Sequence, residues 1–210
     1  MASSTILLTG FEPFGGETTN PSWEVAVRFA EVKVSLVEVK PLRLPVHCKL
    51  AASAVKAAIA RFKPVAVVGL GQAGGRTAIT VEKVAINLAD ERGDRESGER
   101  AEGRAVVRGG PDAYFARLPI AEMIEAITLR GVPAAMSLSA GAYVCNTVMY
   151  TILHELRRRP EVPAGFIHLP FEATQAARHS SSASMGLELM YQGVEAGLAE
   201  LAKRLKSRRS

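Results

Sequence analysis

Cysteine is scarce in this chain, and the marks of secreted and membrane proteins are missing. Two cysteines in 210 residues are too few for a disulfide framework, and they lack the paired spacing of a zinc site. No apolar run approaches the roughly 18 residues that a membrane-spanning helix needs. The start, Met1-Ala2-Ser3-Ser4, lacks the basic segment and cleavage site of a secretory signal. These absences predict a cytoplasmic protein without a membrane partner.

Aromatic residues are also few, at 6% of the chain, and they do not accompany its basic clusters. The net charge is +5, but much of the excess lies in Arg157-Arg158-Arg159 and in a basic tail at about 203–210. Basic residues at helix C-termini complement the helix dipole, and short basic tails are usually solvated. Because a surface that stacks on nucleic-acid bases needs aromatic side chains, we expect no nucleic-acid partner.

The length and composition favour one globular domain over 1–210, with 48% hydrophobic and 22% charged residues. Strand patterns are predicted at 5–10, 34–42, 64–70, 78–86, 132–138 and 165–169. Helical patterns are predicted at 21–30, 49–62, 112–130, 148–159 and 184–206, and 90–110 is predicted to be a long exposed loop or irregular hairpin. Strands separated by helices predict a single-domain α/β/α sandwich, with a mostly parallel (mixed) central sheet and helices on both faces.

Cys145 stands in a turn of small residues between a predicted strand and a predicted helix. This placement puts the thiol in the first turn of a helix, where the dipole and free backbone N–H groups favour a thiolate. Free N–H groups at such a turn can also hold a developing oxyanion. Cys145 is therefore a candidate nucleophile, and the other interpretation is a small buried core residue.

A cysteine nucleophile needs a base, and His168 is the candidate among four histidines. It ends an otherwise apolar strand, and parallel sheets place reactive groups at the carboxyl ends of their strands. Cys145 follows the carboxyl end of the preceding strand, so we expect the two to meet there. His47 is predicted to point away from Cys48. His154 is predicted to lie on a solvated helix face, and His179 is predicted to lie in a polar loop.

Glu82 is the third candidate, because a base usually has a group that orients it. It alternates with Val81 in a strand pattern, so on its own it reads as an outward-facing strand residue.

The glycine-rich run from Gly69 to Gly74 fits a dinucleotide-binding fingerprint, with Asp90 downstream as its acidic residue. Such a fingerprint needs a helix to begin in the loop, so that the helix N-terminus receives the pyrophosphate. The residues that follow, Thr77-Ala78-Ile79-Thr80-Val81, predict a strand instead. A nucleotide-dependent oxidoreductase is therefore a function that the sequence disfavours.

Taken together, four segments in order resemble the pyroglutamyl peptidase I (pyrrolidone carboxyl peptidase) family of cysteine peptidases. The first is TGFEPFGG at 9–16 with NPS at 20–22, and the second is GLGQAGGR at 69–76 with VEKVAIN at 81–87. The third is SAGAYVCN at 139–146, and the fourth is FIHLPF at 166–171. A further match, GGPDAYF with LPI at 109–115 and 118–120, lies away from the chemistry.

The resemblance implies a catalytic triad of Cys145, His168 and Glu82 that removes an N-terminal pyroglutamyl residue from peptides without a cofactor or metal. It implies that Phe11 and Phe14 sandwich the lactam ring and that backbone groups near Gln72 bind the ring amide. It also implies that Asn20 supports the pocket, that Arg92 helps to hold the oxyanion, and that the chain forms a homotetramer. The alternative is a catalytically silent binder of pyroglutamyl or lactam-like ligands.

Overall fold

The computed structural model describes residues 5–90, 103–179 and 182–207. Its strands are β1 (Thr5–Phe11), β2 (Lys33–Val34), β3 (Val37–Leu44), β4 (Ala66–Gln72), β5 (Ile79–Glu82), β6 (Val84–Ile86), β7 (Ala113–Phe115), β8 (Ala134–Ser137) and β9 (Ala164–Leu169). Its helices are α1 (Pro21–Val27), α2 (Cys48–Phe62), α3 (Ile120–Thr128), α4 (Val144–Glu155), α5 (Ala173–Ala176) and α6 (Leu187–Ser207).

The main sheet has the strand order β2-β3-β1-β4-β9-β5-β8. Strands β3, β1, β4 and β9 are parallel, whereas β5 is antiparallel to β9 and parallel to β8. Helices α2 and α4 pack together on one face, and α1, α3 and α6 pack together on the other. The predicted mixed, mostly parallel sheet covered by helices is confirmed.

Buried strands form the centre of the sheet, and every residue of β1 and β9 is buried. Strands buried on both faces read as continuous apolar runs, as these do. Helix α1 begins as predicted, because the Asn20 side chain accepts a hydrogen bond from the Ser22 N–H and Pro21 occupies the first helical position.

Three predicted elements differ from those in the structure. The pattern at 34–42 divides into β2 and β3, which form a hairpin with Ser35 and Leu36 at positive φ. The pattern at 78–86 divides into β5 and β6. The first part of 112–130 is strand β7 rather than helix, because it pairs with β6 in a second sheet. Pairing between distant segments overrides local propensity at this point.

Ala89, just before the predicted loop at 90–110, forms an isolated antiparallel bridge with Arg104 in its second half. Most of that segment lies outside the described residues. In the predicted basic tail, Lys203, Arg204 and Lys206 belong to α6, which continues to Ser207. Within the described ranges, no helix is long and apolar enough to cross a bilayer.

Candidate active site

A buried acid–base pair lies on two neighbouring strands of the main sheet. His168 is on β9 and Glu82 is on the adjacent β5, opposite Phe166. His168 Nδ1 lies 2.7 Å from Glu82 Oε1, and the two residues are 3% and 0% exposed. Glu82 is therefore not the outward-facing residue that its strand pattern suggests, because this face of β5 is covered by protein.

The charges of this pair follow from burial and hydrogen bonding. Burial raises the pKa of the Glu82 carboxyl. The hydrogen bond and positive charge of His168, followed by hydrogen bonds from Ser137 and Arg76, outweigh burial, and the net pKa is lowered. Burial also lowers the pKa of His168, although Glu82 opposes that shift. At neutral pH the imidazole is therefore neutral, with its proton on Nδ1 donated to the carboxylate. Nε2 is left free to accept a proton.

Cys145 lies on the same face of the sheet, as the second residue of α4. A Cβ atom added at Gly71 would lie 2.9 Å from the Cys145 sulfur, and Gly71 is the β4 residue paired with His168. The thiol therefore occupies the space beside His168 that the missing side chain of Gly71 leaves open. The expected position of Cys145 in the first turn of a helix is confirmed.

The path of the chain that brings Cys145 near His168 differs from the expected one. Strand β8 is parallel to β5 and so antiparallel to β9, and the carboxyl ends of β8 and β9 do not share an edge of the sheet. Instead β8 is short and ends at Ser137, which pairs with Glu82. Residues 138–143 then lead from the level of Glu82 to the start of α4.

The resting state of the thiol also differs from expectation. Burial, and then the charge of Glu82, raise the pKa of Cys145 to about 12. The field of the helix N-terminus does not overcome desolvation here. Cys145 is therefore a neutral thiol at physiological pH, and its deprotonation depends on transfer of the proton to His168.

A cleft of about 780 Å³ opens above these residues. It is lined by Cys145 and His168 and by the described residues that the sequence assigned to substrate binding, namely Phe11, Phe14, Asn20 and Gln72. Phe11 is buried and packs against Phe166, with ring centroids 6.5 Å apart. Phe14 is 43% exposed on the loop after β1. Arg92 lies outside the described residues.

Asn20 and Gln72 hold the walls of the cleft through different bonds. Asn20 is buried, caps α1, and donates from Nδ2 to the Glu12 carbonyl at 3.0 Å. Gln72 ends β4, and its Oε1 accepts from Gln175 Nε2 at 3.0 Å. Gln175 is a residue that sequence patterns did not single out.

The other three histidines have structural contacts. His47 caps α2 through its side chain. His154 is half-buried on α4, and its Nδ1 lies 2.9 Å from the Tyr114 hydroxyl. His179 stacks on Phe171, with ring centroids 4.8 Å apart, and its Nε2 lies 2.9 Å from Glu17 Oε1.

Arg76 is a further site residue without an assigned role in the sequence patterns. Its guanidinium lies 2.6 Å from Glu82 Oε1, donates to the Thr80 hydroxyl, and reaches the Ser139 carbonyl at 3.4 Å. Arg76 therefore links the acid of the pair to the segment that precedes Cys145. Its charge disfavours protonated His168 and favours the Cys145 thiolate.

The glycines of the dinucleotide-like run serve packing. A Cβ at Gly69 would collide with the Phe166 ring, and one at Gly74 would collide with the Phe171 ring. Strand β5 follows this run, as predicted, and no helix begins in it. The run therefore lacks the helix N-terminus that would bind a pyrophosphate. In the described part of the chain, no group of three or more His, Cys, Asp or Glu side chains could hold a metal ion.

Comparisons with known proteins agree with this geometry. A family model described as pyroglutamyl peptidase matches residues 4–204. The pyrrolidone-carboxylate peptidase of Gloeobacter violaceus is 44% identical over 190 residues, which cover 90% of this chain and 93% of the relative. That of Enterobacter sp. is 42% identical over 193 residues, which cover 92% and 90%.

Solved structures give the same result. The pyroglutamyl peptidase I of Bacillus amyloliquefaciens superposes with a TM-score of 0.91 at 36% identity, over 95% of each chain. The pyrrolidone carboxyl peptidase of Thermococcus litoralis superposes with a TM-score of 0.93 at 32% identity, over 99% of this chain and 97% of the other.

A buried histidine–glutamate pair beside a cysteine in an open cleft, on this α/β fold, defines a cysteine peptidase. Within that class, the chain belongs to the pyroglutamyl peptidase family.

Proposed function

We propose that this protein hydrolyses the bond after an N-terminal pyroglutamyl residue of peptides, with Cys145 as nucleophile, His168 as general base and acid, and Glu82 as the group that orients His168. The observation that carries the proposal is the 2.7 Å contact between His168 Nδ1 and Glu82 Oε1, in the cleft that also contains Cys145.

The first step transfers the Cys145 proton to His168 Nε2 as the sulfur attacks the carbonyl carbon of the pyroglutamyl residue. Because the thiol is neutral at rest, attack and proton transfer are coupled. The imidazolium that forms is stabilised by the Glu82 carboxylate. The carbonyl oxygen becomes negative, and the free backbone N–H groups in the first turn of α4 are proposed to hold it.

The second step breaks the bond to the leaving amine, which takes the proton from His168. A thioester between the pyroglutamyl group and Cys145 remains. Water then attacks the thioester with His168 as base, and pyroglutamate is released as the thiol regains its proton.

Recognition of the lactam ring is assigned to Phe11, Phe14, Asn20 and Gln72. Phe11 and Phe14 both line the cleft, and an uncharged ring suits an aromatic slot formed by such side chains. An unmodified glutamate would lose the hydration of its carboxylate in this apolar slot, and burial of an unpaired charge is costly. Arg92 is proposed to help hold the oxyanion.

The test is release of aminomethylcoumarin from its pyroglutamyl amide. We expect Cys145→Ala to lower kcat by about 10⁴-fold or more with an unchanged melting temperature. The matched control is Cys48→Ala, which removes the second thiol of the cleft and should retain turnover. Substantial residual activity in Cys145→Ala would refute the proposal.

Mass spectrometry separates the peptidase from a silent binder of lactam ligands. Native protein quenched during turnover should gain the mass of one pyroglutamyl group on Cys145. A folded, reduced protein that binds pyroglutamate but never carries this adduct would be a binder. The homotetramer and the cytoplasmic location stay predictions, the first of which analytical ultracentrifugation can test.

A further inference from the structure

The recognition end of the cleft is the part lined by Phe14, Asn20 and Gln72. Three segments that form this end are joined by one buried side chain, Gln175. It lies in α5 and is 1% exposed. Its Nε2 donates to Gln72 Oε1 at 3.0 Å and to the Thr19 carbonyl at 3.2 Å. Its Oε1 accepts from the Glu172 N–H at 3.1 Å, which completes the capping box of α5. Gln175 thus connects the end of β4, the loop that carries Phe14, and α5.

These bonds determine which atom Gln72 presents to the cleft. A primary amide has one oxygen acceptor and one nitrogen donor. The oxygen of Gln72 is taken by Gln175, and Gln72 lines the cleft. The remaining polar atom is therefore Nε2, a donor without a partner among the described residues. Without Gln175, the Gln72 amide could rotate and present either atom.

A fixed N–H donor suits the chemistry of a lactam ring. The ring carbonyl of pyroglutamate accepts a hydrogen bond, and proline, which has the same ring size, has no oxygen there. A site built around a hydrogen-bonding group rejects the analogue that lacks it, because the site's polar atom is left unpaired. One oriented amide would thereby separate pyroglutamyl from prolyl substrates.

We propose that Gln175 is a positioning residue for substrate specificity: it holds the Gln72 amide so that Nε2 donates to the carbonyl oxygen of the lactam ring. The proposal rests on the proposed function, since it assigns a role within the same recognition pocket. Gln175 does not touch substrate and acts through Gln72 and the Thr19 carbonyl.

The test compares Gln175→Met, which keeps the side-chain length but forms none of the three hydrogen bonds, with native protein. We expect KM for the pyroglutamyl amide of aminomethylcoumarin to rise about tenfold, the effect of one or two lost hydrogen bonds, with kcat changed less than about twofold. The inhibition constant of 2-pyrrolidone should rise in parallel. The matched control is Gln192→Met on the exposed face of α6, which should leave both constants unchanged.

A double-mutant cycle separates positioning from general support. In a Gln72→Met background the amide is already absent, so adding Gln175→Met should raise KM by much less than it does in native protein. Equal effects in both backgrounds would overturn the proposal, as would an unchanged KM in the single variant. Where Gln175→Met fails to fold, Gln175→Glu at pH 8 and above keeps the shape and the bond to Glu172 while its ionised carboxylate cannot donate.

Failure of the proposed function gives a different result from failure of this inference. If native protein releases no fluorophore, the peptidase assignment fails, and the effect of Gln175→Met on binding of 2-pyrrolidone, measured by thermal shift, still tests the inference. If native protein is active and the cycle is additive, only the inference fails.

Discussion

The two ends of the cleft are built in different ways. At the reacting end, Glu82 and His168 lie on adjacent hydrogen-bonded strands and are buried, and the register of the sheet fixes their separation. At the recognition end, Phe14 lies on a loop that is joined to α5 and the segment after it by side chains, among them Gln175 and the Glu17–His179 pair. Backbone pairing between strands therefore positions the catalytic residues, whereas contacts between side chains position the recognition residues.

This difference predicts separate effects on the kinetic constants. Changes at the reacting end should lower kcat and leave KM nearly constant, because they act on the transition state. Changes at the recognition end should raise KM and leave kcat nearly constant. Five substitutions test the comparison, from the largest expected effect to the smallest.

Glu82→Gln should have the largest effect. The amide is nearly isosteric, but it carries no charge to stabilise the imidazolium, and its NH₂ group favours the wrong tautomer of His168. We expect kcat to fall by about 10³- to 10⁴-fold with KM within about twofold in the fluorogenic assay. The control is Glu188→Gln, an exposed carboxylate paired with Arg28. A fall in kcat of less than tenfold would remove Glu82 from the proposed triad.

Arg76→Met should lower kcat about ten- to a hundredfold, since it removes a charged hydrogen bond to Glu82. The positive charge of Arg76 lowers the pKa of His168, so its removal raises that pKa. Because the base must be neutral to accept the thiol proton, the acid limb of the kcat/KM profile should move to higher pH. The profile is measured from pH 5 to 9, and a limb that stays in place or moves to lower pH would contradict this role.

The two aromatic residues of the cleft should separate recognition from stability. Phe14→Ala should raise KM by up to about tenfold and leave the melting temperature unchanged, because the ring is exposed. Phe11→Ala removes a ring that is 2% exposed, so it should also lower the free energy of unfolding by about 3–5 kcal/mol. Urea denaturation beside the kinetic assay measures both, and equal stability losses in the two variants would show that the site is not divided in this way.

Glu17→Gln should have the smallest effect. The Glu17 side chain is 10% exposed, but its partners Arg178 and His179 are exposed, and ion pairs near the surface contribute under about 1 kcal/mol. We expect a correspondingly small change in unfolding free energy and a KM within twofold. A large rise in KM would mean that the contacts of Glu17 with Arg178 and His179 hold the loop that carries Phe14. Substrate recognition would then depend on Glu17 as much as on Gln175.

The sequence was enough to predict the layers of the fold and the positions of Cys145 and His168, because these depend on local patterns. Apolar strands, the Asn20-Pro21 helix start and the small-residue turn before Cys145 all act within a few residues. The direction of β8 was not predictable in this way. It depends on which neighbour the strand pairs with, and four residues of Ala134–Ser137 carry no signal for that choice.

Arg76 and Gln175 could not be assigned for a related reason. Arg76 follows a glycine turn, and Gln175 belongs to a short helix, so neither stands in a pattern that points to chemistry. Their roles come from contacts with Glu82 and Gln72, which the sheet brings near. The resting protonation of Cys145 was missed as well, since desolvation of the thiol in the folded site outweighs the helix terminus that the sequence reveals.

The missing side chain of Gly71 has a consequence for the interpretation of relatives. A methyl group there would collide with the Phe166 ring and the Cys145 sulfur, so one added carbon atom could silence the enzyme while Cys145, His168 and Glu82 all stay in place. Retention of these three residues therefore does not by itself show that a homologue is a working peptidase. The residue at position 71 therefore has to be considered together with the other three.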